Sequence, residues 1–186
     1  MTGAGLVGVA EPSQALLADR PSDRPGTVVT ACLEGSRPLL LEVQALVAPG
    51  YPGNTRRNAL GIDGQRLAML VAVLGKADWT LHDKDVYLNV AGGVRITEPA
   101  ADLAVCAAVV SSLTGRALGT QWLVLGEVGL TGEVRSVTRL DLRLEEARRH
   151  GFQRVLLPRP PARFKAPKGL EVVGVKSLEE AMRELF

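Results

Sequence analysis

DVYLNVAGGVRITEPAADLAVCAAVVSSLTG, residues 85–115, decides the fold of this chain. Its opening, DVYLNVAGG (85–93), reads as a strand that ends on a glycine pair. Gly92 and Gly93 permit a tight turn or positive φ where a side chain would clash. The run ADLAVCAAVVSSLTG (101–115) then reads as a helix that is apolar on nearly all sides, and so central to the domain. Glu98 and Asp102 stand four apart near the start of that helix, where carboxylates gain from the helix dipole.

Working toward the N-terminus, IDGQRLAMLVAVLGKAD carries Leu67, Leu70, Val71 and Leu74 at the i, i+3, i+4, i+7 spacing of one helix face. PGYPGNTRRNALG (49–61) is expected to be a loop. TVVTACLEG (27–35) and RPLLLEVQALV (37–47) read as an antiparallel strand pair across a short glycine-containing connection. Residues 1–26 are rich in turn formers, and RPSDRPG (20–26) reads as a turn or loop. Toward the C-terminus, WLVLGEV (122–128) and VRSV (134–137) read as strands, and LDLRLEEARRHG as a helix stopped by Gly151. VLLP (155–158) and EVVGV (171–175) are further strands. SLEEAMRELF closes the chain as a helix with Ser177 as N-cap and Glu180 at the third helical position. PRPPARFKAPKG (158–169) is linker-like. Strands alternating with helices predict an α/β (α+β) single domain with a mixed sheet and packed helices.

Composition narrows the function classes. The chain has no apolar run near the ~18 residues of a membrane span, and MTGAGLVGVAEPSQ lacks the features of a signal peptide. Cys32 and Cys106 sit in apolar surroundings without ligand partners at metal spacing, so they read as buried thiols in a reducing, cytoplasmic protein. No GxxxxGK[ST] element is present, so nucleotide hydrolysis is not expected of this chain. Gly126, Gly129 and Gly132 lack the GxGxxG spacing of a dinucleotide site. Net charge is +2, but nine Arg or Lys against four acidic residues fall between Glu133 and Lys165.

The segments GLVGVAEPSQALLADRP (5–21), EGSRPLLLEVQALV (34–47), GNTRRNALGIDGQRLAMLVAVL (53–74), DVYLNVAGGVRITEPAADLAV (85–105) and GEVGLTGEVRSV (126–137) together resemble the Lon-protease-like domain. The resemblance extends over about residues 5–158 and is closer still to the C-terminal domain of the RadA (Sms) family of bacterial DNA repair proteins. It implies a ribosomal-protein domain-2-like fold and assembly into a homo-hexameric ring. It further implies a longer parent protein with a zinc-binding cysteine motif and a RecA-like ATPase core. ATP, magnesium and zinc would then belong to those other parts, with no cofactor in this chain; Met1 would be internal to the native protein, residues 1–26 a connecting segment from the ATPase core, and 27–186 the Lon-protease-like domain.

Lon-type peptidases use the serine of a Pro-Ser-Ala-Gly element, activated by a lysine. On the resemblance, Pro99 matches the proline and Ala100 the serine; registering on GEVGLTGEV and Gly151 sets Asp141 against the lysine. An alanine methyl cannot attack a carbonyl, and Asp141 cannot supply an amine. Ser111 and Ser112 lie about three turns along the helix, and His82 and His150 read as solvent-facing. The domain is therefore expected to be non-catalytic. Arg56, Arg57 and Arg66 form one candidate surface for double-stranded or branched DNA; Arg135, Arg139 and Arg143 form a second, with charge and reach for phosphates but no stacking aromatics. The same arginines also fit a solvated surface paired with Asp63, Asp141 and the glutamates. Through the resemblance, the parent protein is expected to be an ATP-dependent branch-migration motor in recombination and repair. Two alternatives stand beside that role: a module docking a recombinase or another repair factor, and a remnant cleft that still binds peptides.

Overall fold

The computed structural model describes residues 11–51 and 53–186; residues 1–10 of the predicted connecting segment lie outside them. In chain order the elements are α1 (Pro12–Leu17), β1 (Thr27–Glu34), β2 (Arg37–Pro49), β3 (Arg57–Leu60), α2 (Gly64–Lys76) and β4 (Lys84–Val90). There follow α3 (Asp102–Thr114), β5 (Trp122–Val124), β6 (Glu127–Val128), β7 (Val134–Arg135), α4 (Leu140–Arg149), β8 (Arg154–Pro158), β9 (Glu171–Val175) and α5 (Leu178–Leu185). Seven strands make one mixed sheet in the order β3-β4-β2-β1-β5-β8-β9, and β6 and β7 form a separate hairpin. The two central pairings, β1 with β2 and β2 with β4, are antiparallel, while β3 on β4 and the β1-β5-β8-β9 run are parallel.

Two-residue periodicity builds the two faces of this sheet. Val28, Cys32, Leu41, Val43, Val86, Leu88, Val90, Val124 and Leu156 point to one side, under α2, α3 and α5. Their neighbours Val29, Ala31, Leu40, Leu123, Val155 and Leu157 point to the other, against Leu144 and Ala147 of α4. Ten consecutive residues of α3, Asp102–Ser111, are buried, which agrees with a helix apolar all round. The second face is covered only over part of the sheet. On the β2-β4-β3 side Leu46 and Leu60 remain 59% and 71% exposed, beside Tyr87.

Three segments differ from the sequence reading. The expected loop 49–61 contains β3, which pairs Arg57 with Val86 and Leu60 with Asn89. The expected strand 122–128 is broken after Val124. Gly126 there takes φ +154, its N–H bonding the Ala100 carbonyl (2.9 Å) and its carbonyl accepting from Leu103 N–H (3.0 Å). The turn-rich N-terminal stretch carries α1, too short to stand by helix propensity alone and held instead by tertiary contacts. Leu16 of α1 occupies the space a Cβ at Gly92 would fill (2.4 Å), and Gly92 itself has φ +76. At the chain's end, Ser177 Oγ accepts from Glu180 N–H at 3.2 Å, as its N-cap position predicts.

Ser13, fully buried in α1, donates to Glu146 Oε1 of α4 at 2.6 Å and accepts from Leu40 N–H at 3.2 Å. Ser13→Ala removes the donor from a buried carboxylate and should lower unfolding free energy by about 1–3 kcal/mol. Urea unfolding reads this directly. A change inside about 0.5 kcal/mol, the range of an ordinary surface substitution, would mean that α1 is not held by this bond.

Candidate functional site

A cleft of about 500 Å³ opens between the start of α2 and the segment entering α3, lined among others by Arg66, Met69, Arg95, Glu98, Asp102 and Glu127. Ala100 lies in the short 3₁₀ turn Pro99–Ala101 at the foot of α3, buried, its carbonyl taken by Gly126 N–H. Asp141 is exposed on the first turn of α4. What joins these two segments is an ion pair. Arg143, two residues beyond Asp141, donates from Nη1 to Glu98 Oε1 at 2.7 Å and from Nη2 to Glu98 Oε2 at 2.6 Å, two residues before Ala100.

A second arginine and carboxylate meet on the other side of Ala100. Arg66 of α2 makes a two-pronged contact with Asp102, with Nε to Oδ1 at 2.8 Å, and Asp102 Oδ2 also accepts from Val128 N–H at 3.1 Å. The two carboxylates therefore do more than favour a helix dipole: each is held by its own guanidinium. Their protonation behaviour differs. Burial raises Asp102 above its ordinary value, and Arg66 and the Val128 N–H only partly oppose it. Burial also acts to raise Glu98, but the bonds from Arg143 and Leu33 N–H outweigh it and hold that carboxyl below the usual range. Cys32, packed against Glu98, and Cys106 are both buried, and their thiols are pushed up by burial first and by the neighbouring carboxylate second.

The remaining polar candidates are structural ties. Ser111 Oγ accepts from Gly26 N–H and donates to the Arg116 carbonyl, and Ser112 Oγ accepts from Val47 N–H. His82 is exposed. His150, expected to face solvent, lies against Glu146 at 3.2 Å and is largely covered. Among the described residues no group of three or more His, Cys, Asp or Glu is placed to hold a metal ion.

The six arginines predicted to face DNA divide into two kinds. Arg143 is a correction: its side chain is fully buried, bonded to Glu98, Ala31 O and Thr138 O, and it reaches no surface. Arg57 turns its guanidinium onto the carbonyls of Arg56, Lys84 and Leu81, at the start of the edge strand β3. Arg66 is committed to Asp102, and Arg135 pairs with Glu133 and, at 3.7 Å, with Glu127. Only Arg56 and Arg139 keep exposed guanidinium groups without an ion pair or side-chain hydrogen bond among the described residues. Arg95, exposed on the cleft wall, is another such cation, one that the sequence reading did not single out. Its signal was present in its position, midway between the glycine pair and Glu98.

The sign of the Glu98 shift sets a pH dependence. A carboxyl depressed in the folded state adds stability that is complete above its unfolded pKa, about 4.3. That stability is lost as pH falls through the lower folded value. The stability gap between wild type and Glu98→Gln should therefore narrow on acidification below about pH 4. Arg143→Met, which strands Glu98, should cost about 3–5 kcal/mol at neutral pH. Denaturant unfolding at several pH values checks both; a gap that widens toward acid would reverse the assignment.

Comparison with known proteins agrees with this geometry. Residues 67–183 match the model of the Lon protease (S16) C-terminal proteolytic domain. Over its full length the chain is 50% identical to the DNA repair protein RadA of Pseudomonas aeruginosa, of which it covers 41%. It is 44% identical to the proteins of that name from Halalkalibacterium halodurans and Bacillus subtilis, in each case covering 40% of the relative. The chain thus spans about two fifths of the length of the relatives it matches. This chain belongs to the Lon protease C-terminal domain family, in the form similar to the corresponding part of proteins named DNA repair protein RadA.

Proposed function

We propose that this domain is a non-catalytic Lon-type module that scaffolds a hexameric ring and contributes sequence-independent contacts to double-stranded DNA in a repair protein. The observation that carries the non-catalytic reading is the surroundings of Ala100. The position matching the nucleophile holds a buried methyl, and both flanking carboxylates are occupied by arginines rather than free to act as bases. The position matching the lysine is an exposed aspartate. Hydrolysis of a fluorogenic peptide is expected to stay at the buffer rate, and turnover abolished by Ser111→Ala would restore a peptidase reading.

Support for the DNA contact comes from Arg56 and Arg139, with Arg95 added by the structure. Each presents an exposed cation with no carboxylate to displace, so a phosphate gains it at little desolvation cost. In the parent protein this domain would support an ATP-dependent branch-migration motor, with ATP, magnesium and zinc held outside this chain. The bare part of the sheet, with Leu46, Leu60 and Tyr87, and the 83% exposed Tyr51 beside it, suits a neighbouring subunit. That same apolar surface favours the second reading, a module that docks a recombinase or other repair factor.

Two measurements separate these readings. An Arg56→Gln, Arg139→Gln variant should bind duplex DNA more weakly and lower the slope of log affinity against log salt by up to about 2. Unchanged gel-shift affinity at low salt removes these residues from the interface. Sedimentation of the chain with Leu46→Asp should show smaller species than wild type; a wild type that is monomeric at high micromolar concentration would detach the ring from this domain.

A further inference from the structure

The β8–β9 connection, read from the sequence as a linker, carries Arg159, Arg163, Lys165 and Lys168 and no carboxylate between residues 159 and 170. Arg159 is neutralised by Glu180 at 3.1 Å. Arg163, Lys165 and Lys168 are exposed, and no ion pair or hydrogen bond of their side chains is found among the described residues. They form a denser set of uncommitted cations than the arginines chosen from the sequence.

The loop is built rather than slack. Arg159 N–H bonds the Val175 carbonyl at 2.8 Å, and Pro160 packs so closely on Gly174 that a Cβ there would meet its Cδ at 2.9 Å. Phe164 is partly buried against the core of the second sheet face. Two turns shape the rest. Phe164 N–H bonds the Pro161 carbonyl at 2.9 Å, which sets Arg163 at the third position of a turn. Leu170 N–H bonds the Pro167 carbonyl at 3.2 Å, and Gly169 at φ +84 supplies the left-handed residue a type II turn requires. Lys168 thus stands at the tip of that turn. Pro160, Pro161 and Pro167 fix φ along the loop, so the backbone that carries the cations has little freedom left to lose when they are engaged.

Position separates this loop from the other candidates. It follows β8 and leads into β9, an edge of the sheet, whereas Arg56 precedes β3 at the opposite edge. Six strand spacings, roughly 29 Å, lie between those edges. Along one strand of a B-form duplex a phosphate recurs about every 3.4 Å of axis, so a backbone passing over the loop offers more than one phosphate to these cations without base contacts.

We infer that the turn pair holding Arg163, Lys165 and Lys168 is a second phosphate-backbone contact, independent of Arg56 and on the opposite sheet edge. This inference rests on the proposed DNA-contacting role and adds a site to it. The test is fluorescence anisotropy of a labelled duplex titrated with salt, on the full chain. Arg163→Gln, Lys165→Gln, Lys168→Gln should lower the salt slope by about 2–3 and affinity at low salt by roughly tenfold or more. The change should be additive with that of Arg56→Gln. Arg148→Gln, an exposed arginine paired with Glu145, serves as control and should bind as wild type. Wild-type binding with an unaltered triple variant overturns the loop contact alone, whereas a wild type that binds no duplex overturns the DNA reading itself. Loop-dependent binding of polyglutamate without duplex binding would assign the loop to an acidic protein and also overturn the inference.

Discussion

The burial of one guanidinium organises the middle of this domain. Arg143 has no exposed side-chain surface, and a charge removed from water in this way is tolerated only when its donors are met. Its Nε bonds Thr138 O, Nη1 bonds Ala31 O and Glu98, and Nη2 bonds Glu98. One side chain therefore fixes the entry of α4, the underside of β1 and the turn that opens α3. Glu98 passes the constraint on, since its Oε1 also accepts from Leu33 N–H at the end of β1. Ala100, itself buried, is held by this arrangement and by the bond from Gly126 N–H to its carbonyl.

Much of the architecture was legible because it depends on periodicity. Alternation along β1, β2 and β4, the helical spacing of Leu67, Leu70, Val71 and Leu74, and the Ser177 cap are local signals that the structure uses directly. What was not legible depends on distant partners. RNAL (57–60) becomes a strand because β4 offers it a parallel edge, and PSQALL becomes a helix because Ser13 finds Glu146, 133 residues away. The arginines illustrate the same limit. Composition shows how many cations there are, but Arg143 meets Glu98 across 45 residues and Arg66 meets Asp102 across 36. No spacing rule marks either pair, so a buried tie and a free surface charge look alike in the chain.

The two arginine–carboxylate pairs also tie down the chain on both sides of Ala100. Hydrogen-bonded charge pairs on either side of Ala100 use fixed geometry to hold segments together. Removing one partner of such a pair leaves a stranded charge, whereas exchanging both for apolar residues can be nearly neutral. The cleft between α2 and α3 is thus a region whose shape is set by electrostatics on its walls: Arg66 and Asp102 on one side, Glu98 on the other.

The second face of the sheet is unevenly covered. Over β1, β5, β8 and Leu40 and Glu42 of β2 the second face is closed by α4 with α1 beside it; over the rest of β2, β4 and β3 it is open, with Leu46, Leu60 and Tyr87 set among Gln44, Asn58 and Asn89. Such a mixture of amides and apolar groups can rest in water and still pack against a partner. The adjoining edge would ordinarily invite uncontrolled strand pairing. Here β3 is only four residues long, and Arg57 folds back at its start to bond the carbonyls of Lys84 and Leu81. An arginine that reads from the sequence as a DNA contact instead satisfies backbone beside the sheet edge. Short length and a charged residue at its start blunt β3 as an edge for strand addition.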